Sequence, residues 1–200
     1  MVDVKGYLSK QQIDNILACA KNKRNWLLLF LLYRSGRRIS ELLELKPIDI
    51  DQDKKLIKFH ILKKKNKNTY KLKAVDDDAI DKLNEYIDEN GIPLESYVFP
   101  SPKDHTKHLT RQMAFYIVKK TCKLAGIHRV GLKEPHPHHF RHSFAISYLS
   151  NSRKKEVAIR ALQEILDHAN LNMTSSYLQF SQEDVKEDLN YAFGVKKKDV

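Results

Sequence analysis

Apolar positions recur every three or four residues through most of the chain and every second residue over one short stretch, which reads as helices around a small sheet. Leu8-Ser9-Lys10-Gln11-Gln12-Ile13 opens a first helix, with Ser9 and Gln12 as a capping box and Leu8 stapled to Ile13. Ile13, Ile16, Leu17 and Ala20 form its inward stripe. The run Trp26 to Tyr33 predicts a second helix, apolar nearly all round and therefore buried, with Gly36 at the left-handed position that ends it. Ser40 is expected to cap a third helix carrying Leu42, Leu43 and Leu45, which Pro47 stops.

From Lys54 to Val75 the period changes to two, with Leu56, Lys58, His60 and Leu62 and then Tyr70, Leu72 and Ala74 in alternation. Two strands result, joined by the turn Lys63-Lys64-Lys65-Asn66-Lys67-Asn68. Asp76 to Asp78 cap a helix with Ile80, Leu83 and Ile87 inward, closed by Gly91 and Pro93. Tyr97-Val98-Phe99 suggests a short third strand. Thr110 caps a helix packing Ala114, Ile117, Val118, Thr121 and Ala125, ended by Gly126. Pro137 suits the first turn of the next helix, whose Phe140, Phe144 and Tyr148 recur every four residues. After a polar loop from Ser150 to Lys155, a helix with Val157, Ala161, Leu162, Ile165 and Leu166 inward ends near Asp167-His168. Thr174 caps a short helix holding Tyr177, and Ser181 with Asp184 opens a last one, roughly 182–193, with Val185, Leu189 and Ala192 on one stripe. The expected fold class is mainly α with a small antiparallel β-sheet (α+β), as one domain over residues 1–193 with a basic tail, 194–200.

Thirty-six Lys and Arg against 25 Asp and Glu give a net charge of +11, a footprint suited to a polyanion, with nucleic acid as the first candidate. A membrane is the weaker one, because the apolar run from Trp26 to Tyr33 is far too short to span it. Met1-Val2-Asp3-Val4-Lys5 lacks the apolar core of a signal peptide, and Cys19 and Cys122 stand singly, as reduced thiols of a cytoplasmic protein would.

The stretch His136-Pro137-His138-His139-Phe140-Arg141-His142 crowds ionisable groups at the start of an apolar helix. His138 and Arg141, three apart, share a face of the first turn, where free N–H groups and the positive end of the helix dipole favour an anion such as phosphate. A solvated histidine-rich turn would also account for this stretch alone. No metal is expected, since neither cysteine is near and no Cys-x-x-Cys pair exists.

In order along the chain stand the elbow Gly36-x-Arg38-x-Ser40-Glu41, the lysine turn between strands, His138-x-x-Arg141-His142, the Leu166-Asp167-His168 turn, and Tyr177 nine residues after that histidine. Together they resemble the catalytic domain of the tyrosine recombinases, the lambda-integrase family, over nearly the whole chain. The resemblance assigns the active-site arginines to Arg38 and Arg141, a supporting acid to Glu41, histidines to His138 and His168, and the nucleophile to Tyr177. Its strand-turn lysine falls on Lys64, with Lys63 and Lys65 as alternatives because Lys65 replaces the family's glycine. Arg37, Lys63, Lys65 and Lys67 are the expected DNA contacts. Asp167 departs from the usual glycine, and aspartate tolerates a left-handed turn.

The resemblance implies a site-specific recombinase or integrase that cuts and rejoins double-stranded DNA through a 3'-phosphotyrosine, without cofactor, metal or ATP. It also implies a tetramer on paired sites, with the last helix as a candidate for docking on a neighbouring protomer and an accessory DNA-binding protein as a further partner. A type IB topoisomerase and a non-cleaving DNA-binding relative remain open. Relatives carry an N-terminal DNA-gripping domain, and with Met1 close to the catalytic boxes none is expected here; the chain is then a fragment or a single-domain recombinase.

Overall fold

A computed structural model describes residues 6–61, 69–152, 155–166 and 189–194. Seven helices appear among them: α1 (Lys10–Ala18), α2 (Lys23–Ser35), α3 (Ile39–Leu43), α4 (Asp77–Glu89), α5 (Arg111–Leu124), α6 (Pro137–Asn151) and α7 (Lys155–Leu166). Between α3 and α4 lies an antiparallel sheet of β1 (Ile50–Asp51), β2 (Leu56–Ile61) and β3 (Thr69–Ala74), in that order. The architecture is mainly helical with one small sheet, as the periodicities predict.

Local signals explain most of the boundaries. Ser9 accepts the Gln12 N–H while Gln12 accepts the Ser9 N–H, the reciprocal cap of α1. Asn22, Asp76 and Thr110 cap α2, α4 and α5 through their side-chain oxygens. Gly36 ends α2 at φ 60°. Ser40, by contrast, is not a cap. α3 starts two residues earlier, with Arg38 at the N-cap, because Glu41 reaches back and accepts the Arg38 N–H at 3.0 Å.

The third strand is also not at Tyr97-Val98-Phe99. Val98 and Phe99 are buried without joining the sheet, and the Val98 N–H donates to the Leu45 carbonyl instead. The place is taken by β1, too short at two residues to show a period. β2 and β3 pair with Ile57 opposite Lys73 and His60 opposite Tyr70. The core face is therefore the Ile57, Phe59, Ile61 phase, while Tyr70 and Leu72 lie exposed on the other. α6 runs on to Asn151, through the start of the expected polar loop.

One hydrophobic cluster gathers around α2, with Leu28, Leu29 and Leu32 fully buried. A second is formed by Phe144 and Tyr148 of α6, Ala158, Ala161 and Ile165 of α7, Leu56 and Ala74 of the sheet, and Leu189 and Ala192. Phe193 touches both, stacked on Phe144 at 5.7 Å and edge-on to Tyr33 at 5.5 Å. Leu189, Ala192 and Phe193 thus pack against their own chain. Arg34 closes a buried fork on Asp76, joining α2 to the cap of α4. Cys19 and Cys122 are free thiols, and burial pushes Cys122 up to about 12.

Candidate active site

The end of α2 and the start of α6 meet because both helices contribute stripes to the core. Tyr33 donates to Ser147 at 3.0 Å, and Gly36 abuts the ring of Phe144 so closely that a Cβ would lie 2.8 Å from Cε1. The chain start closes over the same helix: the Leu8 N–H donates to Ser143 Oγ at 2.7 Å. These contacts bring the Arg38 elbow beside the His138-x-x-Arg141 turn. Between them opens a cleft of about 190 Å³ lined by Arg38, Ser40, Arg111, Phe115, His138 and Arg141, with Arg37 at its base.

The three arginines of the sequence reading stand in different environments. The Arg38 side chain is 47% exposed, and its Nη1 donates to Glu41 Oε1 at 2.8 Å. Glu41, 1% exposed, therefore holds both the backbone and the guanidinium of Arg38. Arg37 is a correction. Expected to touch DNA, it is instead 1% exposed, with its guanidinium 5.5 Å over the Phe59 ring and 3.9 Å from Glu41. Its side chain reaches the surface only where it lines the cleft, and its charge adds to the positive field there. Arg141 is 5% exposed and crosslinks two helix ends, donating from Nη1 to the Gly36 carbonyl at 2.7 Å and from Nη2 to the Leu166 carbonyl at 2.5 Å. Carbonyls at helix C-termini carry partial negative charge, so a cation is stabilised there.

His138 lies in a ladder of rings, 6.3 Å from His136, which in turn stacks on Phe115 at 6.3 Å. Burial pulls His136 below the usual imidazole range, with His138 and Lys133 adding to the effect. His139 is pulled down to about 4, by burial first and then by the charges of His136, His138, His142 and Lys133. Its Nδ1 accepts the His136 N–H at 3.2 Å, so neutral His139 does the capping that glutamate usually does at this position.

Two lining residues escaped the sequence reading. Arg111 and Phe115, one turn apart at the start of α5, face the same cleft. A signal was present: the first turns of α5 and α6 contain no acidic residue, and Arg111 puts a cation at the positive end of a helix dipole, an unfavourable place unless an anion joins it. Four arginines against Glu41 leave the cleft strongly positive. Lys63, Lys64, Lys65, Lys67, His168 and Tyr177 lie outside the described residues. Among the described residues no cluster of His, Cys, Asp or Glu could hold a metal ion, and no helix is long and apolar enough to cross a membrane.

Among the described residues the domain is mainly helical with a three-stranded sheet, and its cleft is built from an Arg elbow and a His-x-x-Arg helix start. The family model described as the phage integrase family matches residues 6–184, and the chain belongs to that family. A tyrosine recombinase of Pseudothermotoga lettingae is 33% identical over 186 residues, 92% of this chain and 59% of that protein. The tyrosine recombinase XerA of Thermococcus onnurineus is 30% identical over 181 residues, 90% of this chain and 60% of its own length. The crystal structure of XerA recombinase superposes with a TM-score of 0.65 at 26% identity, over 82% of this chain and 55% of that one. The chain thus spans about 60% of the length of the curated relatives it matches.

Proposed function

We propose that this chain carries the strand-cleaving site of a site-specific DNA recombinase. The observation that supports the reading best is the meeting of Arg38, His138 and Arg141 in one positive cleft, from parts of the chain about a hundred residues apart. Arg38 and Arg141 would neutralise the charge that builds on the non-bridging oxygens as a DNA phosphate is attacked in line, a task for planar groups that stay charged at any relevant pH. His138 would donate a hydrogen bond to the same oxygens, as would His168. Tyr177 Oη would attack phosphorus and pass its proton to His138, forming a 3'-phosphotyrosine. The bond to the 5' oxygen breaks, and that oxygen takes a proton from Lys64, acting as general acid. Attack by the 5' hydroxyl of another strand reverses each step, so the energy of the broken bond is retained. Glu41 holds Arg38 in place for this chemistry.

The partner on this reading is double-stranded DNA, gripped largely through its phosphates by the surplus of positive charge. Exchange between two duplexes calls for four copies on paired sites, and an accessory DNA-binding protein would strengthen the grip. The test is a nicked, end-labelled duplex bearing candidate sites, incubated with the protein in EDTA and run on a denaturing gel. A protein-linked 3' strand that disappears in Tyr177→Phe is the expected outcome. DNA binding without an adduct at any site tried, at low salt and with partner proteins added, would remove the enzymatic reading in favour of a non-cleaving binder. Relaxation of plasmids lacking any site would move it to a topoisomerase.

A further inference from the structure

α7 is the last described element before the stretch that holds His168 and Tyr177, and two cations grip its C-terminal turn. One is Arg141 on the Leu166 carbonyl. The other is Lys73 of β3, whose Nζ donates to the Glu164 carbonyl at 2.6 Å. Lys73 is 5% exposed and lies opposite Ile57 on the core-facing phase of the sheet, where an apolar side chain would be the cheaper occupant. The last four carbonyls of a helix have no partner within it, and α7 places no basic residue of its own in its last turn. Its two cations are therefore supplied from elsewhere, one by the sheet and one by the arginine of the cleft.

We propose that Lys73 is a positioning residue of the cleavage site. By holding the Glu164 carbonyl it fixes the end of α7, and so both the seat of the Arg141 guanidinium and the point from which the segment with His168 and Tyr177 departs. On this account Lys73 acts through the Glu164 carbonyl that it holds. For cleavage the proposal rests on the recombinase reading above; for the clamp itself it rests only on the contacts just described.

The test compares wild type with Lys73→Met, which keeps the length of the side chain and removes the ammonium, and with Lys73→Arg, which restores a donor. Lys73→Met is expected to slow single-turnover adduct formation roughly tenfold to a hundredfold, the scale of a small misplacement of reacting groups. DNA affinity is expected to stay within about threefold of wild type, since no phosphate contact is lost. Lys73→Arg is expected to recover most of the cleavage rate. Amide hydrogen exchange over residues 155–166 provides the second readout, with faster exchange in Lys73→Met confined to the end of α7. Wild-type cleavage by Lys73→Met, or a parallel loss of folding, binding and cleavage, would overturn the proposal. If wild type itself forms no adduct, the recombinase reading fails, and amide exchange decides on the clamp: unchanged protection of α7 in Lys73→Met sinks it.

Discussion

A guanidinium carries five N–H donors in one plane, and Arg141 directs two of its nitrogens at carbonyls belonging to different helices. A lysine there keeps the charge and loses the bridge. Arg141→Lys is expected to lower adduct formation on the order of 10² to 10³-fold, the usual cost of removing a preorganised donor, and to lower the melting temperature as well. Single-turnover cleavage and thermal unfolding of the same preparation check both. Gly36 offers a second test. Alanine at φ 60° costs about 1–2 kcal/mol for the left-handed backbone alone, and its Cβ would also press on Phe144. Gly36→Ala should lose at least that much stability in urea unfolding, and its cleavage should fall too, because the displaced carbonyl is the one that seats Arg141. Glu41→Ala removes the carboxylate that accepts both the Arg38 N–H and its guanidinium, and a loss of about 1–3 kcal/mol is expected in the same assay.

Helix starts carry most of the site, and α6 shows how one is made. Its cap depends on an unprotonated Nδ1 of His139, which accepts the His136 N–H. The folded state holds His139 at about 4, against 6.5 for a free imidazole. The stabilisation is therefore complete above pH 6.5 and is lost progressively as the pH falls toward 4, because the unfolded chain takes up the proton first. His139→Gln, an acceptor that does not titrate in this range, should flatten the difference in unfolding free energy between pH 7 and pH 4.5; an unchanged slope would remove His139 from the account. Elements of this kind were legible in the sequence, since caps such as Ser9, Asp76 and Thr110 act on neighbours three residues away. The sheet was less so. Its third strand is two residues long, and the phase of β2 that faces the core is decided by what packs across it, not by alternation alone. The same holds in the site: the family resemblance singles out Arg38 and Arg141, but nothing local distinguishes Arg37, which is buried on Phe59, from its exposed neighbour. Arg111 was missed because its partners lie in other elements.

At the level of the whole molecule, +11 sets how the protein meets a polyanion. If phosphate contacts dominate the grip, raising salt from about 50 to 200 mM should weaken duplex binding on the order of 10³-fold, with a linear slope of log Kd against log salt. Fluorescence anisotropy with a labelled duplex measures it, and a flat slope would mean that the charge surplus is not what holds DNA. Sequence separation has its own consequence here. The Arg141 contacts reach 105 residues back along the chain and 25 forward, and the Leu8 contact with Ser143 spans 135. Bringing such distant pieces together requires closing long loops, which is slow and unrewarded until the core has formed. In an unfolded chain the arginines of the cleft are therefore scattered, and folding is what gathers them. On the recombinase proposal, the capacity to cut DNA would then belong to the folded chain, because its arginines meet only through contacts between distant residues.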